Sequence, residues 1–299
     1  MWTQESVVMR ALRWLGMDSL AWSLRRYHCP VPKNALVLEV GSGGNPYVRA
    51  NVLLDAYEDT RERHWAPLVS DRPTVLGFVE NLPFRDGAFD FVIASHVLEH
   101  SVQPEKFLAE LQRVARAGYI EVPDAFMERI NPYRDHRLEI TVRDNCLVVR
   151  KKAGWQVDPE LVELYEARVK RPITQMLMPS RPFDFHVRYY WSDRIGFEVV
   201  NPEANAHWQA TADTLRPPVA GKHASLRTWL RNLIRVIASQ GRRNRGINLL
   251  PLLRCPVCHG TDLKPTQATL TCFTCQTDFS MANGIPRMLA SYKNESTGL

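Results

Sequence analysis

Short apolar runs recur through the first part of the chain, separated by polar and glycine-containing segments. They lie at residues 35–40, 51–54, 74–79, 89–95 and 119–122. Runs this short and nearly continuous are typical of strands that are buried on both faces of a parallel sheet. Between the last two runs, residues 104–115 place apolar side chains on one helical face. Strands that alternate with helices predict an α/β sheet.

The pattern loosens after residue 123. Two runs, at 138–142 and 147–151, flank Arg143-Asp144-Asn145-Cys146 and predict a β-hairpin. We expect a helix over residues 159–169, a late strand over 197–200, and one or two helices within residues 1–30. Apolar residues at 226, 229, 230, 233, 234 and 237 have the spacing of an amphipathic helix over residues 225–239.

Composition is that of a soluble globular protein. The 299 residues are 45% hydrophobic and 23% charged, which leaves room for one large domain and a small one. No run approaches the ~20 apolar residues of a membrane span. The N-terminal segment lacks the apolar core and cleavage site of a signal peptide, so we expect a cytoplasmic protein.

Positive charge is concentrated in one segment. The net charge is +6, yet residues 215–254 hold eight Arg and one Lys with no Asp or Glu. Arg227, Arg231 and Arg235 form a stripe on the predicted amphipathic helix, as contacts to RNA or to an anionic membrane surface would. The alternative, which we favour, is a helix docked by its apolar face with its arginines in water.

The first predicted strand ends in a glycine-rich turn, Gly41-Ser42-Gly43-Gly44. Glycine lets the backbone turn sharply and approach a ligand without interference from a Cβ atom. In open α/β sheets nucleotides bind at this end of a central strand, although a plain strand-ending turn is the alternative. Asp55 follows the second run, where an acid can accept hydrogen bonds from ribose hydroxyls. Too few residues separate the first two strands for a crossover helix, so we expect a loop.

Further motifs accompany this turn. Residues 82–90 read Leu-Pro-Phe-Arg-Asp-Gly-Ala-Phe-Asp, and residues 96–100 read His-Val-Leu-Glu-His. Over residues 34–124 the chain resembles the class I S-adenosylmethionine-dependent methyltransferases. The resemblance implies a Rossmann-like, mostly parallel sheet with helices on both faces. It implies cofactor contacts from Glu39, Gly41, Ser42, Gly43, Asp55, Phe78, Val79, Glu80 and Ser95.

One position departs from the family. Phe78 stands where the family often has an acid that binds the adenine amino group. We expect Glu80 or a backbone carbonyl to replace that contact, with Phe78 packing on the ring. Some short methyltransferases of glycan-modification gene sets share the short first connection, which favours a small-molecule or glycan acceptor. An enzyme directed at RNA or a translation factor, or an RNA-binding module without activity, is the alternative.

Methyl transfer to a hydroxyl or an amine is helped by a base that removes the acceptor's proton. His96, Asp124 and His136 are the candidates for this base, with His100 as a fourth, because they lie just past predicted strand ends or in a polar loop. Each has a structural alternative, a cap or a core hydrogen bond. We also expect a bulky residue at Gly41 to abolish cofactor binding and to leave the fold largely intact.

Four of the six cysteines form two closely spaced pairs, Cys255 with Cys258 and Cys272 with Cys275. Two such pairs can hold one structural Zn²⁺ in tetrahedral geometry. The flanking Cys-Pro-Val-Cys and Gly-Ile-Pro-Arg-Met-Leu sequences resemble the small zinc-ribbon proteins that activate tRNA, rRNA and release-factor methyltransferases. We therefore expect an N-terminal helical segment (1–33), a methyltransferase domain (34–210), a basic helix and linker (211–247) and a zinc ribbon (248–299) docked on that domain.

Overall fold

A computed structural model of the chain describes residues 4–58, 60, 66–208 and 238–290. The arginine stripe and nearly all of the predicted amphipathic helix lie outside these residues. The α-helices are α1 (Val7–Trp14), α2 (Asp18–Leu24), α3 (Pro104–Val114), α4 (Ala125–Ile130), α5 (Pro159–Leu164), α6 (Met178–Ser180) and α7 (Gly241–Arg245). None of the helices in the described ranges is long and apolar enough to cross a membrane.

A mostly parallel sheet forms the centre of the molecule. Its strands are β1 (Val37–Val40), β2 (Val52–Asp55), β3 (Thr74–Leu76), β4 (Phe91–Ser95), β5 (Ala117–Pro123) and β8 (His186–Ser192). They lie in the order β3-β2-β1-β4-β5-β8, and only the last pairing is antiparallel. Every residue of β1, β2 and β3 is buried, as the continuous apolar runs predict. The fold is therefore the Rossmann-like α/β class that the sequence indicated.

The connections around this sheet follow from local chemistry. A turn and loop without a helix join β1 to β2, as the short spacing predicted. Helix α3 begins at Pro104, which suits the first helical turn because proline has no N–H to leave unpaired. Its apolar face, with Phe107, Leu108 and Leu111 fully buried, packs into the main core.

A second sheet contains the predicted hairpin. Strands β6 (Leu138–Arg143) and β7 (Cys146–Lys151) are antiparallel and joined at Asp144 and Asn145, which both have positive φ angles. A two-residue hairpin turn favours this conformation because it matches the twist of the strands. The late strand β9 (Phe197–Val199) joins β7 in parallel and completes a three-stranded sheet.

Residues 247–290, which we call the C-terminal unit, form a small antiparallel sheet. Its strands are β10 (Leu263–Pro265), β11 (Thr269–Cys272), β12 (Thr277–Ala282) and β13 (Ile285–Pro286). The unit docks on the edge of the central sheet: the Met288 amide donates to the Leu76 carbonyl at 2.7 Å, and the Arg85 amide to the Leu252 carbonyl at 2.8 Å. Apolar side chains of both parts share one core.

The end of the basic segment is anchored inside the fold. Arg243 on α7 donates to the backbone carbonyls of Lys33 and Ala35, which precede β1. Asn244 beside it is buried and accepts a hydrogen bond from the Asn51 side chain at 2.8 Å. Arg243 and Asn244 therefore anchor this part of the segment to the fold.

Candidate functional site

A cavity of about 470 Å³ opens at the carboxyl ends of the parallel strands. Gly41 and Gly43 line it from the end of β1, Asp55 from β2, and His96 from β4. The sheet order runs from β1 toward β2 on one side and toward β4 on the other. Ligands of open α/β sheets bind at such a reversal of strand order. The cavity is therefore at the position where this fold binds nucleotides.

The glycine turn has a left-handed backbone. Gly41 has φ +62° and Gly43 has φ +55°, conformations that residues with a Cβ atom rarely adopt. A Cβ atom at Gly41 would lie 2.2 Å from Cγ2 of Val97, another residue of the cavity wall. The turn is closed by the Gly43 amide, which donates to Asp55 Oδ2 at 2.9 Å.

Asp55 has a fixed orientation at the mouth of the cavity. Its other oxygen, Oδ1, accepts a hydrogen bond from the Tyr57 amide at 3.1 Å, and the residue is only 6% exposed. A carboxylate is a hydrogen-bond acceptor, the chemistry that a ribose hydroxyl requires. The geometry suits the ribose contact that the resemblance implies.

Two aromatic rings form the wall beyond Asp55. Phe78 and Tyr57 stand edge to face with their ring centroids 6.4 Å apart, and both line the cavity. Glu80 lines it next to them and accepts a hydrogen bond from the Ser101 hydroxyl at 2.6 Å. An apolar wall with a carboxylate at its edge is chemically suited to a flat heterocycle that carries an amino group.

Glu39, Ser42 and Ser95 are not among the residues that line the cavity. Glu39 is 2% exposed and accepts the Tyr47 amide at 2.7 Å. Burial raises the pKa of Glu39 to about 8, although the Arg26 charge and the Tyr47 amide oppose the shift. Ser42 is buried, and Ser95 donates to Glu121 at 3.1 Å. Of the nine predicted cofactor residues, Gly41, Gly43, Asp55, Phe78, Val79 and Glu80 line the cavity.

His96 is held between two buried carboxylates. Its Nδ1 lies 3.5 Å from Glu99 Oε1 and its Nε2 lies 3.5 Å from Glu121 Oε1. Burial lowers the pKa of His96, but the hydrogen bonds and charges of Glu121 and Glu99 outweigh it and raise the pKa to about 9. An imidazolium has no lone pair to accept a proton. At neutral pH, His96 is therefore better suited to donate hydrogen bonds than to act as a base.

Asp124 has the structural role that the sequence left open as its alternative. Its Oδ1 accepts the Phe126 amide and caps α4, and its Oδ2 accepts the Thr141 hydroxyl at 2.8 Å. Asp124 is not among the residues that line the cavity. The base role predicted for it finds no support in this geometry.

His136 does not line the cavity but packs against His100, which does. Its Nδ1 is 2.8 Å from Glu128 Oε2, and its ring stands edge to face against His100 at 4.9 Å. His100 itself lines the cavity. The structure therefore brings His96, His100 and His136 to one end of the site and leaves Asp124 apart.

Other wall residues come from distant parts of the chain and were missed in the sequence. Arg137, His207 and Ala290 line the cavity together with Gln103. Arg137 donates to the carbonyls of Ala206 at 2.9 Å and of Trp208 at 2.6 Å, which holds this loop against the wall. No local pattern marks these residues, because tertiary packing alone brings them to the cavity.

The four paired cysteines converge in the C-terminal unit. Their sulfur atoms all lie within 4.8 Å of one another, with Cys255 and Cys275 separated by 3.7 Å and Cys258 and Cys272 by 3.6 Å. Tetrahedral coordination with Zn–S bonds of 2.3 Å requires sulfur atoms about 3.8 Å apart. The cluster therefore has a geometry and a donor set that are compatible with zinc.

Residues 38–120 match a family model described as a methyltransferase domain. A 43-residue segment is 44% identical to ajmaline N-methyltransferase of Rauvolfia serpentina, and the match covers 14% of this chain and 15% of that protein. The chain thus spans only a small part of the length of this curated relative. The matched domain holds the glycine turn, Asp55 and His96, and it supports an S-adenosylmethionine-dependent methyltransferase.

Solved structures with similarity to the chain include two S-adenosylmethionine-dependent methyltransferases. The Thermotoga maritima protein is 21% identical, with coverage of 39% of this chain and 58% of that chain and a TM-score of 0.29. The Mesorhizobium loti protein is 13% identical, with coverage of 54% and 80% and a TM-score of 0.30.

Proposed function

We propose that this protein transfers the methyl group of S-adenosylmethionine to a small-molecule or glycan hydroxyl or amine. One observation carries the proposal: the matched methyltransferase segment holds the glycine turn and Asp55, which meet at the strand-order reversal. When bound, the cofactor supplies a sulfonium whose methyl group is already activated for in-line attack. The protein has to bind and orient cofactor and acceptor.

The residues present fit this cofactor. Gly41 and Gly43 leave room for close approach of a ligand to the backbone, and Asp55 offers a fixed carboxylate to the ribose hydroxyls. Phe78 and Tyr57 supply an apolar face for adenine, and Glu80 an acceptor for its amino group. We assign these six residues to cofactor binding.

The cavity favours a small acceptor over a macromolecule. Its volume of about 470 Å³ falls within the usual range of small-molecule sites. Polar groups from Gln103, His100 and Ser101 line it beside the apolar wall, and hydroxyl or amine acceptors need such groups for orientation. His136, oriented by Glu128, and His100 are the remaining sequence-predicted bases, because Asp124 caps a helix and the raised pKa keeps His96 protonated.

Cofactor binding is the decisive test. We expect calorimetry to detect S-adenosylmethionine or its product S-adenosylhomocysteine, and Asp55→Ala to weaken binding by at least roughly tenfold because a charged hydrogen-bond acceptor is lost. Asp71→Ala, which removes a carboxylate that does not line the cavity, is the matched control. Well-folded wild-type protein that binds neither compound contradicts the proposal. Radiolabelled methyl transfer onto fractionated extract then identifies the acceptor class.

We also propose one structural zinc ion on Cys255, Cys258, Cys272 and Cys275. Four thiolates at tetrahedral spacing close the site to other ligands, so the ion stabilises the C-terminal unit and takes no part in catalysis. Elemental analysis of protein purified without chelators is expected to find one zinc per chain at these cysteines. Protein with no zinc, or an unchanged zinc content in Cys255→Ser, contradicts this assignment.

A further inference from the structure

A second group of metal-ligating side chains lies at the end of the cavity. Glu99 and His100 come from the turn after β4, and His136 from the loop before β6. One ligand atom from each of the three residues lies within 4.8 Å of the others. His100 lines the cavity, so a ligand held by this group would lie at the cavity wall.

Both imidazoles are oriented as in metal sites. His100 Nδ1 lies 3.1 Å from the Asp135 carbonyl, and His136 Nδ1 lies 2.8 Å from the Glu128 carboxylate. Since these oxygens accept hydrogen bonds, Nδ1 is the donor in each ring, and Nε2 is the atom through which the neutral imidazole would bind a metal. In a metal-bound histidine, the N–H of the ring nitrogen that does not bind the metal typically donates a hydrogen bond to a carbonyl or a carboxylate.

Further contacts hold this outer shell in place. Lys152 Nζ donates to Glu128 Oε1 at 2.6 Å, so the Glu128 carboxylate is fixed on both sides. Glu128 is 3% exposed and Lys152 is largely buried with it. The orientation of the His136 ring is therefore determined by the fold.

Glu99 supplies an independent indication of a ligand. The residue is 2% exposed, and its Oε2 has no hydrogen-bond partner among the described residues. Its other oxygen lies 3.5 Å from His96 Nδ1. A buried carboxylate oxygen without a partner is unfavourable unless a ligand satisfies it. A cation beside the two imidazoles would do so.

We propose that Glu99, His100 and His136 bind one divalent transition-metal cation, distinct from the ion of the four cysteines. Two imidazoles and one carboxylate suit Mn²⁺, Fe²⁺, Co²⁺ or Zn²⁺ and leave further coordination positions for water or substrate. The inference about the acceptor rests on the proposed methyl transfer. The site then identifies the methyl acceptor as a molecule that coordinates the cation through a hydroxyl oxygen.

The cation would make that hydroxyl a better nucleophile. A hydroxyl bound to a divalent cation has a lowered pKa and loses its proton to solvent water. The resulting oxygen forms a bond to the methyl carbon as the carbon–sulfur bond of the cofactor breaks, and S-adenosylhomocysteine leaves with the electron pair on sulfur. His136 then acts as a metal ligand in place of the base role predicted from sequence.

Titration with Mn²⁺ tests the site without any measurement of activity. Mn²⁺ prefers oxygen and nitrogen ligands to thiolates, so it does not displace zinc from the cysteine cluster. We expect electron paramagnetic resonance of the zinc-replete full chain to show one bound Mn²⁺ per chain. Glu99→Gln and His136→Asn are expected to weaken binding by at least roughly tenfold. His207→Asn, a change at a cavity histidine outside the group, is expected to leave Mn²⁺ binding unchanged.

Several results would overturn the site. The site is contradicted if wild-type protein binds no Mn²⁺ up to millimolar concentration and if its absorption spectrum with Co²⁺ shows only the bands of a thiolate site. Mn²⁺ binding that persists in both Glu99→Gln and His136→Asn also contradicts the site. This is the result expected if His136 acts only as a base and does not bind the metal. Circular dichroism of each variant establishes that it is folded. Calorimetry with S-adenosylhomocysteine tests the proposed function separately, since metal binding without cofactor binding would refute that function alone.

Discussion

Individual carboxylates in this molecule differ in protonation because of where the fold puts them. Burial acts to raise the pKa of Glu121 on β5, but the hydrogen bonds and charges of His96 and Arg25 outweigh burial and hold that pKa well below the usual range. Glu39 on β1 is also buried, but it forms no ion pair among the described residues, and burial raises its pKa to about 8. Direct pairing with a cation decides which acid stays ionised.

Glu39 should make stability depend on pH. The folded protein keeps a proton on Glu39 that the unfolded chain releases near its ordinary pKa of 4.5, so stability falls as pH rises toward 8. In chemical denaturation from pH 4.5 to 9, wild type should lose up to about 1.4 kcal/mol per pH unit relative to Glu39→Gln, levelling off above pH 8. A stability difference that is independent of pH would contradict the raised pKa.

Several residues singled out from the sequence lie at the cavity. Gly41, Gly43 and Asp55 were predicted from their positions at the ends of short apolar runs, and Phe78 from the family resemblance, and all four line the cavity. Arg137 and Ala290 were missed because each reaches the cavity through contacts with residues far away in the chain. The roles predicted for cofactor and catalytic residues stay predictions until ligands are measured.

At the scale of elements, the turn after β1 couples the sheet to the cavity. Gly41 and Gly87 have nearly the same backbone conformation, with φ angles of +62° and +60°. A Cβ atom at Gly87 would meet nothing within 4 Å, whereas one at Gly41 would meet Val97 at 2.2 Å. A substitution at Gly87 therefore introduces only the strain of a left-handed backbone, whereas the same substitution at Gly41 adds a steric clash with Val97.

Gly41→Ala should therefore destabilise the protein more than Gly87→Ala. The control carries only the cost of a left-handed alanine, about 1 kcal/mol, while Gly41→Ala adds displacement of Val97 and reaches about 2–4 kcal/mol. Chemical denaturation gives both values, and calorimetry should show weaker cofactor binding for Gly41→Ala alone. Equal losses of stability would show that Val97 moves freely. The structure thus argues against the expectation that a bulky residue here leaves the fold largely intact.

Element prediction worked for the continuous apolar runs and for the hairpin, but it missed one alternating strand. All five parallel strands overlap the predicted runs, because burial on both faces excludes polar side chains. Strand β8 was missed although its buried Val187, Tyr189 and Trp191 alternate with more exposed residues. Its place beside β5 depends on long-range pairing that the local pattern does not contain. The strands of the C-terminal unit are short, and that region was marked by the cysteine spacing and by the Gly-Ile-Pro-Arg-Met-Leu motif.

At the scale of the whole molecule, the C-terminal unit is part of the cavity. Its Met288 amide extends the edge of β3, Arg287 forms an ion pair with Glu58 beyond Asp55, and Ala290 lines the cavity wall. Apolar residues of the unit share a core with the central sheet. The stability of this unit and the affinity for cofactor should therefore be linked.

Loss of zinc should weaken cofactor binding at a distance. Cys255→Ser disrupts the proposed zinc site, and we expect a lower melting temperature and roughly tenfold weaker binding of S-adenosylhomocysteine. Cys29→Ser, a change at a half-buried cysteine outside the cluster, is the control and should keep its zinc. Unchanged cofactor affinity in zinc-free, folded Cys255→Ser would show that the unit is only tethered to the sheet.

The contact between Met288 and Leu76 also has a consequence for biosynthesis. A ribosome makes the chain from the N-terminus at about 5–20 residues per second, so Ala290 follows Gly41 by roughly 12–50 seconds. Throughout that interval the edge of β3 lacks its final hydrogen-bonding neighbour, and such an edge is a template for pairing with other chains. A nascent chain cannot complete its cavity before the last strand of the C-terminal unit emerges. The edge of β3 therefore stays open to other chains until the C-terminal unit has been made.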